Sequence, residues 1–183
     1  MPKAKSPKPK AGNEVPNGKI VPTARVAALR MLARRELSES QIRQRLVRRG
    51  YEADEIDFAI ERLKTDGSIN DARVAGAIAR TETSVKRRGR LRVAQALARA
   101  GIDRATAHVA VESTFNDIDD DTLLNASLDR RLKNGRLIAD DREFQQLFRY
   151  LAAQGFESGT ILKALTVEHL THHASFARTE RPG

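Results

Sequence analysis

Apolar residues recur at helical spacing through the body of this chain. Phe144, Leu147, Phe148 and Leu151 fall at i, i+3, i+4 and i+7, and Ile56, Ile60 and Leu63 lay down a similar stripe earlier. That spacing turns one face of a helix toward a core, and neither run alternates as a half-buried strand would. At roughly 100 degrees per residue, Ile42, Leu46 and Val47 share one side of a further helix while Arg45 and Arg48 point outward from the other. Helix starts are written into the polar positions. Ser38 with Gln41 forms a capping box, with Leu37 and Ile42 spaced as its hydrophobic staple, so a helix is expected from about Glu39 to Arg49. Asp140 with Glu143 predicts the same kind of start for the run that ends at Gln154.

Glycines supply the stops. Gly50, Gly67, Gly101, Gly135 and Gly155 each follow an amphipathic run and suit the left-handed residue beyond a helix end. Three of them sit in equivalent settings, LVRRGYEADEI, LARAGIDRATA and LAAQGFESGTI, spaced 51 and 54 residues apart. In each, a leucine lies four residues before the glycine, and an apolar residue and then an acid follow it. This is an internal repeat. It predicts an all-α fold of three tandem three-helix repeats, at residues 23–67, 68–116 and 117–173. Units of that size gain stability by docking on their neighbours, so an elongated, curved stack is expected. Five of the six prolines lie within residues 1–22, which read as a disordered Lys/Pro-rich tail. Residues 174–183 read as a second disordered tail.

Composition narrows the class. The chain has 183 residues, no cysteine and a net charge of +9. Disulfides and cysteine-ligated metals are excluded, and a reducing, cytoplasmic compartment is expected. No stretch approaches the length of apolar residues that a membrane span needs. The charge is unevenly spread: +4 over residues 1–22, +2 over 23–67, +5 over 68–116 and −2 over 117–183. A basic middle beside an acidic end suits a protein that meets both nucleic acid and another protein.

The candidate binding residues are basic. Lys86, Arg87, Arg88, Arg90 and Arg92 crowd the junction between two helices of the second repeat, where guanidinium forks could grip phosphate or carboxylate. Arg45 and Arg48 form a second, smaller candidate. Reversing Arg87, Arg88 and Arg90 together is expected to weaken binding without unfolding the chain. A duplex-reading recognition helix is not expected, because the third helix of the first repeat carries Glu55, Asp57, Glu61 and Asp66 and would repel a phosphate backbone. Aromatic residues make up 4%, too few for a base-stacking platform. Asp117, Asp119, Asp120 and Asp121 read as helix-capping acids and not a metal site. His169, His172 and His173 read as a terminal helix face. No catalytic residue, metal or cofactor is expected.

The lead-in ALRMLARRELS, the helix end RQRLVRRGY, the junction IERLKTDGSIND and the turn KRRGR together resemble the RecX family, bacterial regulators of the RecA recombinase. With FRYLAAQGF the resemblance covers roughly residues 24 to 170. It implies three three-helix repeats, binding along the RecA filament on single-stranded DNA, and inhibition of RecA ATPase, strand exchange and co-protease activity. It implies a role in DNA repair and the SOS response. A monomer is expected, with single- or double-stranded DNA a further partner. The chain departs from the family in its second repeat, where Val74 and Ile78 stand in place of the usual aromatics. The competing expectation is a sequence-neutral DNA-binding helical protein that acts by occupying the strand.

Overall fold

The structure is a computed structural model that describes residues 22–132 and 138–166. Residues 1–21 of the first tail, the whole of the second, Gly135 and the histidines at 169, 172 and 173 lie outside the described residues. Every regular element among the described residues is helical, as the hydrophobic periodicity predicts. The chain divides into two compact units, the first ending at Ile69 and the second beginning at Asn70.

The first unit holds α1 (Ala24–Leu32), α2 (Glu39–Val47) and α3 (Ala53–Thr65). Ser38 is the N-cap of α2 and accepts a hydrogen bond from the Gln41 amide at 3.1 Å, while Leu37 and Ile42 are both buried in the unit's core. Ile42, Leu46, Ile56, Ile60 and Leu63 pack there against the small face Ala24, Ala27 and Ala28 of α1. Val47 departs from the expected pattern. It is 59% exposed, because it lies beyond the stripe that Ile42 and Leu46 define at i and i+4.

Four acids on α3 or just past its end are engaged inside this unit. Glu55 Oε1 accepts from the Ala24 amide at 2.8 Å, satisfying one of the orphan donors at the start of α1. Asp57 pairs with Arg43 of α2, Glu61 with Lys64, and Asp66 with Arg25 at 3.2 Å. Lys64 also reaches Glu39 at 3.0 Å. The acidic face that argues against duplex readout therefore has a structural role in tying the three helices together.

The second unit runs α4 (Asp71–Arg80), a five-residue π-helical turn (Thr81–Val85), α5 (Arg90–Arg99), α6 (Arg104–Asn116), α7 (Asp120–Leu132), α8 (Asp141–Gln154) and α9 (residues 158–166). One core cluster extends from Val74 in α4 through Leu97, Phe115, Leu124 and Leu151 to Leu165. Of the stripe on α8, Leu147 and Leu151 are fully buried, while Phe144 and Phe148 are partly buried against that core. The acids caps behave as their positions imply: Asp140 accepts from the Glu143 amide at 2.7 Å, and Asp119 accepts from the Thr122 amide at 2.9 Å.

The three glycine motifs share one hydrogen-bond pattern. The amides of Tyr51, Ile102 and Phe156 bond back to the carbonyls of Leu46, Leu97 and Leu151, and each glycine bonds to the residue three before it. Gly50, Gly101 and Gly155 all adopt positive φ, at 81, 72 and 90 degrees. This is the double closure of a helix end that a left-handed residue favours, and in each motif the leucine and the apolar residue after the glycine lie in or against the same core. The sequence repeat is thus a repeated way of ending a helix and turning the chain back onto its own core.

Candidate functional site

The basic turn, residues 86–92, is built as a junction. Gly89 precedes α5, and its amide donates to the Gln154 carbonyl of α8 at 3.0 Å, while the Leu91 amide donates to the Gly155 carbonyl at 3.3 Å. The unsatisfied amides at the start of α5 thus meet the unsatisfied carbonyls at the end of α8, and the opposite ends of two helix dipoles face each other. Such an approach needs bare backbone on both sides. A Cβ on Gly89 would overlap the Gly155 carbonyl, and one on Gly155 would overlap the Arg92 amide.

Most of the cations in this turn are engaged within the chain. Lys86 Nζ donates to Glu82 Oε1 at 2.6 Å and Arg88 Nη1 to Glu82 Oε2 at 2.5 Å. Glu82 lies in the π-helical turn with a side chain only 7% exposed. Burial pushes its carboxyl up, but the hydrogen bonds from Lys86 and Arg88 outweigh that and hold it below the ordinary glutamate value. Arg87 adopts a φ of 55 degrees and donates to the Ala126 carbonyl of α7 at 2.7 Å. Arg90 donates to Asp120 and to Glu112, both at 3.1 Å, and lies over the Phe115 ring. Arg92 reaches Gln95 at 3.1 Å. Three elements of the second unit, α6, α7 and α8, are held to the turn by these contacts. The triple charge reversal at Arg87, Arg88 and Arg90 is therefore not the clean test expected of it. It would set new carboxylates beside Glu82, Glu112 and Asp120 and break the junction as well as any contact.

Arg45 and Arg48 are differently placed. Arg48 is exposed and Arg45 half-buried at the C-terminal end of α2, so only the former stands fully outward. Neither makes an ion pair among the described residues. The Arg45 guanidinium is pushed down by burial and by the like charges of Arg35, Arg48 and Arg49. Arg35 lies on the turn between α1 and α2, and Arg49 directly follows Arg48. This gathering of four arginines escapes a reading of sequence alone, because Arg35 joins it from another element. Its signal is the pair of Arg-Arg dipeptides at 34–35 and 48–49. Glu82 is likewise missed, although the i, i+4 spacing from Glu82 to Lys86 marks a bonded pair.

Among the described residues no cluster of three or more metal-ligating side chains occurs. Asp119 caps α7, Asp120 takes Arg90, and Asp121 faces Lys163 at 3.4 Å. No described helix is long and apolar enough to cross a membrane.

The first three-helix domain of RecX matches residues 24–63, and the second matches residues 70–111. Over 143 residues the chain is 31% identical to a protein named Regulatory protein RecX from Syntrophotalea carbinolica, covering 78% of this chain and 94% of that one. A protein of the same name from Acidithiobacillus ferrooxidans is 34% identical over 145 residues, covering 79% of this chain and 88% of its own length. The crystal structure of RecX from Lactobacillus salivarius superposes with a TM-score of 0.67 at 22% identity, over 79% of this chain and 95% of that one.

Proposed function

Because the chain belongs to the RecX family of regulatory proteins, we propose that it regulates the RecA recombinase by docking on filaments that RecA forms on single-stranded DNA. In this reading it restrains RecA ATPase, strand exchange and co-protease activity, in the repair and SOS setting that the resemblance implies. The observation that carries it is the span of the likeness. Similarity extends over 94% of a relative named as a regulatory protein, so it is not confined to one shared helical unit. The chain contributes contacts and no catalysis of its own, and the ATP hydrolysis it restrains belongs to its partner. It works in the cytoplasm as a monomer, with tandem helical units that gain effective concentration once the first is docked.

The contact surface is assigned to the basic residues. Arg45 and Arg48 meet the filament from the first unit, and exposed Lys86 and Arg87, with half-buried Arg92, meet it from the second. Arg88 and Arg90 shape the second surface through their carboxylate partners. A second reading, strand occupancy without any RecA contact, draws support from the uncompensated arginines of the first unit.

The test is RecA's DNA-dependent ATPase on filaments preformed on single-stranded DNA, with this protein titrated in at fixed salt. Half-inhibition at a small fraction of the RecA concentration is expected. Inhibition that sets in only near saturation of the DNA replaces this reading with strand occupancy, and an unchanged ATPase overturns both.

A further inference from the structure

Arg45, Arg48 and Arg49 are spaced i, i+3 and i+4 at the end of α2, which places them on one face. Arg35 lies on the turn before the same helix, three residues ahead of its N-cap Ser38, and is one of the like charges that lower Arg45. None of the four forms an ion pair among the described residues, whereas Arg25 and Arg43 of the same unit are each matched with a carboxylate. Four acids of the unit are engaged elsewhere: Glu39, Asp57 and Glu61 by Arg43 and Lys64, and Asp66 by Arg25. Four like charges on one helix and the turn before it, none in an ion pair among the described residues, repel one another, a repulsion that a dense external anion relieves.

We propose that Arg35, Arg45, Arg48 and Arg49 form a sequence-neutral site for the phosphate backbone of single-stranded nucleic acid, a refinement that rests on the reading above of a protein acting on DNA-bound filaments. Phosphate fits better than an acidic protein face because a protein interface is centred on apolar or aromatic anchors. The exposed large hydrophobic residue beside these arginines is Val47, while the exposed aromatic of the unit, Phe58, stands on α3 with Arg62 over its ring at 5.6 Å. No aromatic ring belongs to the cluster itself, so the site grips the backbone and leaves sequence unread. Guanidinium forks suit that task through paired hydrogen bonds to phosphate oxygens.

The experiment is fluorescence anisotropy of a labelled oligothymidylate titrated with the full-length protein at several salt concentrations. Two variants accompany it, one with all four arginines changed to glutamine and one with all four changed to lysine, and circular dichroism checks that both keep their helix content. Each phosphate contact on a single strand contributes about 0.7 to the slope of log affinity against log salt, so the glutamine variant should bind at least about tenfold more weakly with a slope shallower by about 3. The lysine variant should keep most of the slope. A glutamine variant that binds like the parent overturns the proposal, as does a parent that fails to bind oligothymidylate at low salt. A glutamine variant that keeps DNA affinity but no longer inhibits RecA also overturns it and assigns the cluster to an acidic protein face. Failure of the regulatory reading shows separately, as a parent that binds the oligonucleotide yet leaves RecA's ATPase unchanged.

Discussion

The turn from Lys86 to Arg92 packs five cations into seven residues, while Arg35, Arg45, Arg48 and Arg49 spread four over fifteen. By linear density the turn is the stronger polyanion site. In three dimensions the order reverses, because Glu82, Glu112, Asp120 and a carbonyl of α7 take up the donors of the turn, whereas the four arginines of the first unit share no carboxylate. Charge that a fold consumes is not on offer to a partner without a cost. The availability of a cation depends on which acids the fold brings beside it, and those acids come from helices distant in sequence.

The largest effect expected to test that contrast is at Gly89. A methyl there collides with the Gly155 carbonyl, so Gly89→Ala should separate α5 from α8 and cost about 3 kcal/mol in urea unfolding, at the upper end for overpacking. Gly50→Ala in the first unit meets nothing within 4 Å and pays only for its left-handed backbone, about 1 kcal/mol. Amide exchange should rise in α5 and α8 for the former and not for the latter. Equal costs would mean that the junction is no tighter than an open turn.

Next in size is the loss of a counter-ion. Arg88→Met leaves a buried Glu82 with Lys86 alone, and about 2 kcal/mol should be lost, since hydrogen bonds to buried charge are expensive to leave unmade. Arg48→Met should change stability by less than about 0.5 kcal/mol, as an exposed cation without a carboxylate stabilises little. If the two variants unfold alike, the turn is a solvated charge run after all.

A pH titration sharpens the same difference. Glu82 is held below its ordinary value of 4.5 in the folded chain, so its pairing stabilises fully above that value and is lost as pH falls through the lower, folded one. Glu82→Gln should therefore be less stable than the parent at pH 7 and show a shallower loss of stability in acid below about pH 4.5, read from urea midpoints. Asp103 and Asp119, lowered by their helix-capping hydrogen bonds, keep a residual acid sensitivity in both proteins. An identical acid slope in parent and variant would show that the pairing contributes nothing.

Much of the fold is legible from residue spacing because its causes are local. A serine or aspartate three residues before a glutamine or glutamate, or a glycine four after a leucine, specifies a hydrogen bond inside one turn, and those bonds form at Ser38, Asp140, Gly50, Gly101 and Gly155. The candidate site is less legible because its causes are distant. Nothing near Arg90 in sequence announces Glu112 or Asp120, and nothing near Arg45 announces Arg35. Val47 fails for a related reason. Helical phase alone groups it with Leu46, but the neighbouring helices cover only part of that side, and it ends up exposed.

The smallest effect is the most telling about sign. Burial and three neighbouring arginines lower the Arg45 pKa, so its charge is less favourable in the folded chain than in the unfolded one. Arg45→Gln should then leave stability unchanged or raise it, by no more than about 0.5 kcal/mol for a partly exposed group. Salt supplies the discriminating readout. Raising ionic strength screens repulsion between exposed charges over a Debye length of about 8 Å or less, so the parent should gain more from added salt than the variant, and the two should converge. If the variant is instead less stable, by a margin that shrinks with salt, then Arg45 was attracted to a carboxylate and not repelled by its neighbours. The contrast between a spent turn and an unspent cluster would then fail at its more exposed end.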